Sequence, residues 1–142
     1  MKSRTKARSL ALQALYEFDL TGHPPIEIIQ NRLVGHDVDT SLSDFAIAIC
    51  VGVIPISEKL DNLIAEHAPE WPLDQVAVID RNIIRIALWE FAIEECTPTK
   101  VAINEAVELA KTYGSESTPR FVNGVLGSLS SRQEEIHRLV RK

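Results

Sequence analysis

Two small groups of residues have the types and spacing to hold a nucleic acid. Arg120 and Phe121 follow directly on Pro119, a residue suited to the first position of a helix, so a cation and an aromatic ring share the opening turn of a predicted helix. An exposed ring there can stack on a splayed base, a guanidinium can hold the backbone, and the free N–H groups of a helix start favour an anion. Core packing of Phe121 is an equally open reading, and spacing alone does not decide between the two. The second group is Lys2, Arg4, Lys6 and Arg8, with no acid in the first eight residues. Arg4 and Arg8 share one face of a helix, as do Lys2 and Lys6, and all four fall on one side of an extended chain. On a chain of net charge −5 such an end is a local footprint for phosphate or else a solubilising tail. The far end is basic too, with Arg132, Arg138, Arg141 and Lys142 against Glu134 and Glu135.

No comparable set exists for catalysis or metal binding. His23 and His36 lie in predicted turns, His67 at a helix end and His137 in the tail, none beside a serine or cysteine in a nucleophile motif. Cys50 and Cys96 fall within apolar helical patterns, where small buried thiols are expected, and neither has a second cysteine or a histidine at ligand spacing. Glycine loops that cradle phosphates are missing. Glu105 and Glu108 sit on the polar side of their helix, where solvated charge is the ordinary outcome. The expectation is a protein that is not an enzyme, with no metal and no cofactor. A chain of 142 residues fits one compact domain, 1–142. The charged start lacks the apolar run of a signal peptide, and no stretch approaches the ~20 apolar residues of a membrane span, so a cytoplasmic location is expected.

The elements that position these groups are helices, since no stretch alternates as a strand. Ala7, Ala11, Ala14, Leu15 and Phe18 predict a first helix over residues 3–20, stopped by Thr21, Gly22, His23, Pro24 and Pro25. A short amphipathic helix follows over 26–34, closed by Gly35. Helical spacing continues over 43–67 after a capping Ser41, but Pro55 removes a hydrogen bond and clashes with the turn before it, which predicts a kink or two abutting helices. Beyond Pro69, Trp71 and Pro72, the run VAVIDRNIIRIALWEFAI is apolar nearly all round in its second half, with Arg85 and Glu90 as the charges there. Such a helix is buried on most sides and forms the central post.

In residues 97–126, Thr97 is placed to cap a helix that Pro98 begins, with Ile103, Ala106, Val107 and Ala110 as its apolar stripe. Gly114 is expected to close it in a left-handed conformation, and Ser115, Glu116, Ser117 and Thr118 to turn and cap the helix that Pro119 restarts. A last short helix is capped by Ser130 or Ser131. The fold class is all-α, six or seven helices with short loops.

KVAINEAVELAK, then YG and RFVNGVL, together with IDRNIIRIALWE before them and SLALQALYEFDL in the first helix, closely resemble the NusB family of bacterial transcription antitermination factors. The likeness keeps its order over essentially the whole chain. It implies two small helical bundles sharing the long apolar helix. It also implies binding to the boxA segment of nascent RNA together with NusE, a ribosomal small-subunit protein, to nucleate an antitermination complex on RNA polymerase at ribosomal RNA operons. The family's basic motif then falls on Lys2, Arg4, Lys6 and Arg8 as phosphate contacts. Its later RNA contacts fall on Glu105, Arg120 and Phe121, with Glu105 accepting from a base edge and Phe121 stacking. Tyr16 and Asp80 match the NusE-facing side. Two positions depart from the pattern: Thr5 interrupts a run often denser in arginine, and Ser117 stands where an acid is common. The same fold resembles the N-terminal module of certain RNA cytosine methyltransferases, but neither their cofactor-binding segment nor their catalytic cysteine follows here. A structural homodimer or larger homo-oligomer, with the basic end packed against a second subunit, stays open.

Overall fold

The computed structural model describes residues 3–34, 40–68 and 76–141. Its helices are α1 Ser3–Thr21, α2 Pro25–Leu33, α3 Thr40–Val53, α4 Ser57–His67, α5 Val78–Leu88, α6 Thr99–Tyr113, α7 Thr118–Ser130 and α8 Gln133–Arg141. A 3-10 turn, Ile54–Ile56, joins α3 to α4 at Pro55, so the bent pair is one rod and the described residues hold seven. No strand occurs among them. The positions of Gly35, His36, Pro69, Trp71 and Pro72 lie outside the described residues.

The central post is α5 continued by a π turn, Trp89–Ile93, and residues 82–93 are all buried. On one side α1 packs against α2, α3 and α5; on the other, α5 meets α4, α6 and α7, while α8 covers the π turn. Apolar burial therefore builds two bundles with one shared helix. The two buried charges of the post are each neutralised by a partner from a neighbouring helix, as a buried charge requires. Arg85 forks onto Asp61 of α4, Nε to Oδ1 at 2.8 Å and Nη2 to Oδ2 at 2.6 Å, and its Nη1 reaches Asp19 of α1 at 3.0 Å. Glu90 is taken by Arg8 of α1.

The π turn brings its own demands. Helix ends leave carbonyls without partners, and here α8 supplies them from one face. Gln133 Nε2 donates to the Phe91 carbonyl at 2.9 Å, His137 Nδ1 to Ala92 at 3.0 Å, and Arg141 Nη2 to Ile93 at 3.1 Å. Residues at i, i+4 and i+8 thus satisfy three consecutive carbonyls. Gly52 of α3 lies so close to the Trp89 indole that a β-carbon there would stand 2.0 Å from Nε1. The glycine that interrupts the sequence pattern is what lets α3 approach the post.

Several local expectations are corrected. Thr97 does not cap α6: its hydroxyl donates to Glu90 Oε1 at 2.7 Å, and Pro98 stands at the cap position. Gly114 is extended, φ −91 and ψ −176, rather than left-handed. Its lack of a side chain makes room for Thr118, whose Cβ would lie 2.5 Å from an added β-carbon. In α6 the buried residues are Ala102, Ala106, Leu109 and Ala110, so the core face is rotated from the expected stripe. Ser130 and Ser131 bond back to the carbonyls of Gly127 and Ser128 instead of capping α8. Cys50 is buried, and desolvation pushes its thiol up to about 12, but Cys96 is exposed. The rod Thr40–His67 is, by length and a mean hydropathy of 1.7 in its most apolar stretch, apolar enough to cross a membrane, contrary to expectation. Here Ile49, Val53, Leu60 and Ile64 are spent on the core.

Candidate nucleic-acid interface

Of the basic N-terminal group, Lys2 lies outside the described residues. Arg4 and Lys6 are exposed at the start of α1. Arg4 lays its guanidinium over the Phe45 ring at 4.4 Å, a cation–π contact that leaves its N–H groups without a protein acceptor among the described residues. Lys6 makes no hydrogen bond or ion pair there. Arg8 shares the Arg4 face, as helical spacing requires, but that face turns inward one turn later: Arg8 is 4% exposed. Its Nε and Nη2 fork onto Glu90 at 2.9 and 2.7 Å, and its Nη1 reaches Glu105 Oε1 at 2.8 Å. Desolvation lowers the Arg8 pKa, the bonds to Glu90 and the charges of Glu90 and Glu105 raise it, and the balance is upward. Its charge is consumed inside the protein.

Glu105 is partly exposed on α6, its side chain 22% accessible, and Thr5 Oγ1 donates to the same Oε1 oxygen at 2.6 Å. Further along, the Tyr113 hydroxyl is bonded to Ser9 and accepts from Gln13 Nε2 at 3.0 Å. Helices α1 and α6 therefore run side by side in the same direction, with a groove between them walled by Thr5, Ser9, Glu105, Leu109 and Tyr113. The corner after Tyr113 lies about 12 Å along the axis from Glu105, at ~1.5 Å per residue.

That corner is tied by hydroxyls. The Ser115 N–H donates to Thr118 Oγ1 at 2.9 Å, and the Thr118 hydroxyl donates to Asp80 Oδ1 at 3.0 Å. Asp80 sits at the start of α5; desolvation raises its pKa, with the Thr118 bond opposing. Arg120 is exposed and makes no ion pair among the described residues. Phe121 is half-buried, packed against the core on one side while its other side helps line a shallow concavity of about 380 Å³ with Asp80, Ser117 and Arg120. Tyr16 is 38% exposed on α1 and makes no hydrogen bond to Asp80. One turn on, Asp19 receives Asn82 Nδ2 at 2.9 Å, so the two residues sit on neighbouring elements.

Residues 5–131 match the model of the NusB family. The chain belongs to the NusB family. The transcription antitermination protein NusB of Roseiflexus castenholzii is 46% identical over 134 residues, 93% of this chain and 94% of that one. The NusB of Bacillus cereus is 39% identical over 130 residues, 91% and 97% of the two chains. Among solved structures, T. maritima NusB superposes with a TM-score of 0.83 at 28% identity, covering 95% of this chain and 96% of that one. A crystal structure of the antitermination factors NusB and NusE in complex with dsRNA shares the fold, TM-score 0.79 at 24% identity, covering 98% of each chain.

Within this NusB-family chain two cations of the basic C-terminal end, Arg132 and Arg141, are engaged within the protein, while Arg138 is exposed. Arg132 is held by Glu66 and Glu135 at 2.8 Å each and by His67 Nε2, and Arg141 by the Ile93 carbonyl. Sequence reasoning missed the Arg8, Glu90, Thr97 and Glu105 network. A signal for it was present: Arg8 precedes Leu12 and Leu15 at i+4 and i+7 on the buried stripe of α1, and Glu90 is an acid in an apolar run, which calls for a buried cation.

Proposed function

We propose that this chain is a transcription antitermination factor that binds boxA-type RNA together with NusE and supports ribosomal RNA transcription from within the RNA polymerase antitermination complex. The role is non-catalytic and belongs to the cytoplasm, and residues 1–142 act as one RNA-binding domain. What supports the reading is family membership joined to one observation: cations without protein partners among the described residues, Lys6 at the start of α1 and Arg120 at the start of α7, bracket α6 with its partly exposed Glu105. Lys6 and Arg120, with Arg4 and Lys2, are assigned to phosphates. Phe121, which lines the concavity beside Arg120, is assigned to stacking and Glu105 to a base edge. Arg8, whose donors are engaged within the protein, is removed from the set of phosphate contacts. Tyr16 and Asp80 are assigned to the NusE side. A mobility shift with a boxA RNA, with and without NusE, beside a scrambled RNA tests the proposal. Preference for boxA that sharpens when NusE is added is expected, and equal retention of the two RNAs would refute it.

A further inference from the structure

We infer that Arg8 serves the RNA site from inside, by fixing Glu105 as a hydrogen-bond acceptor that reads an amino-bearing base against uracil. The inference rests on the reading of this surface as an RNA site and adds a positioning residue and a base class to it.

The anchor is the central post. Glu90 is 1% exposed, its Oε1 also receives the Thr97 hydroxyl at 2.7 Å, and its backbone carbonyl accepts from Cys96 N–H at 3.1 Å. A guanidinium forked onto such a carboxylate has little freedom, because both groups are planar and share two parallel bonds. Its remaining arm, Nη1, then points one hydrogen bond at Glu105 Oε1, and Thr5 adds a second to the same oxygen. Two donors on one oxygen fix the carboxylate plane. Glu105 Oε2 takes no partner among the described residues, and the residue lines the groove between α1 and α6.

An ionised carboxylate only accepts. It repels phosphate and carbonyl oxygens and takes N–H donors, such as cytosine N4 or adenine N6, whereas uracil presents O4 at that edge. A carboxylate free to rotate would accept from a passing water as readily as from a base; one held through Arg8 to the core offers its lone pairs in a single place. The cluster is thereby distinguished from an ordinary solvated glutamate.

The test measures affinity by fluorescence anisotropy for a boxA RNA and for copies in which each cytidine is replaced by uridine, or each adenosine by purine riboside, one at a time. Wild type is expected to lose about tenfold at one position, the scale of a single well-made base contact. Arg8→Lys keeps the charge but not the fork, and Glu90→Gln keeps Arg8 but loosens its anchor. Both should bring that loss below about twofold while the slope of log affinity against log salt stays as in wild type. Thr97→Val, which removes one bond to Glu90 and no charge, gives a milder form of the same change and serves if the other variants melt too low to assay. A phosphate anchor behaves oppositely: Arg8→Gln would then lower the salt slope by about 0.7 and leave base discrimination intact, which would overturn the inference. Intact discrimination in Arg8→Lys and Glu90→Gln would overturn it as well, with the RNA site standing. Failure of wild type to separate boxA from scrambled RNA would remove the site itself.

Discussion

Gly52→Ala adds one methyl group at the closest approach of α3 to the central post. The new carbon would lie 2.0 Å from Trp89 Nε1, 2.4 Å from Cε2 and 2.9 Å from Cδ1. Carbon atoms in contact stand at about 3.5–4.0 Å, so the ring or the helix must yield by more than ~1 Å. The indole has little room, being 6% exposed, and its backbone opens the π turn that carries Glu90. Alanine returns about 1 kcal/mol of helix propensity, whereas overpacking a filled core costs typically about 1–3 kcal/mol and more for a rigid neighbour. A contact this short belongs at the upper end, leaving a net loss of about 2 kcal/mol. For a chain of this length that lowers Tm by roughly 6 °C. Thermal denaturation followed by circular dichroism measures it. Trp89→Leu has no atoms at the Nε1 and Cε2 positions that collide most closely, so the double variant should recover stability relative to the sum of the singles, with a coupling above ~1 kcal/mol. An alanine variant that melts at or above wild type, or a strictly additive double, refutes the reasoning.

Gln133→Ala leaves the Phe91 carbonyl and the Thr99 hydroxyl without their partner and should cost about 1–3 kcal/mol of stability by chemical denaturation, whereas an unchanged midpoint would show that α8 does not cap the π turn. Asp80 has a folded pKa raised by burial, so its ionised form weakens the fold, fully so above that pKa and no longer once the pH falls below the ordinary carboxylate value. Asp80→Asn, which keeps an acceptor for Thr118, should therefore melt higher than wild type near neutrality, and the gap should close on acidification; a gap independent of pH would contradict this. Phe121→Ala should weaken boxA binding by about 1–3 kcal/mol with a smaller fractional change in stability, and a collapsed melting curve with unaltered binding per folded molecule would make the ring a core residue only.

The helices themselves were legible because their apolar residues recur at 3.6-residue spacing, and the bend at Pro55 followed from proline's missing N–H. The central post was legible for a second reason, the near absence of charge in its second half. What periodicity does not carry is the direction in which a shared face points. Arg4 and Arg8 were correctly set on one face, but only the neighbours at i+4 and i+7 say that Arg8 has passed below the surface while Arg4 has not. Gly114 was picked out as a corner residue for its conformational freedom, yet what requires it is the Thr118 side chain against it, a contact between side chain and backbone that no local pattern encodes. Thr97 sat where a cap belongs, and a buried carboxylate from the preceding turn claimed its hydroxyl first. The pairing of Glu105 with α1 spans about a hundred residues of chain and has no local signature, although the unpartnered charges of Arg85 and Glu90 in the sequence announced that some such pairing must exist.

The central claim is that the start of α1 and the start of α7 grip the same RNA. A salt titration of boxA binding by Lys6→Ala, Arg120→Ala and the double variant tests it most directly. If one RNA strand touches both, each single substitution lowers the slope of log affinity against log salt by about 0.7 and the double by about 1.4. A slope and affinity unchanged by either substitution would leave that half outside the site and contradict the account.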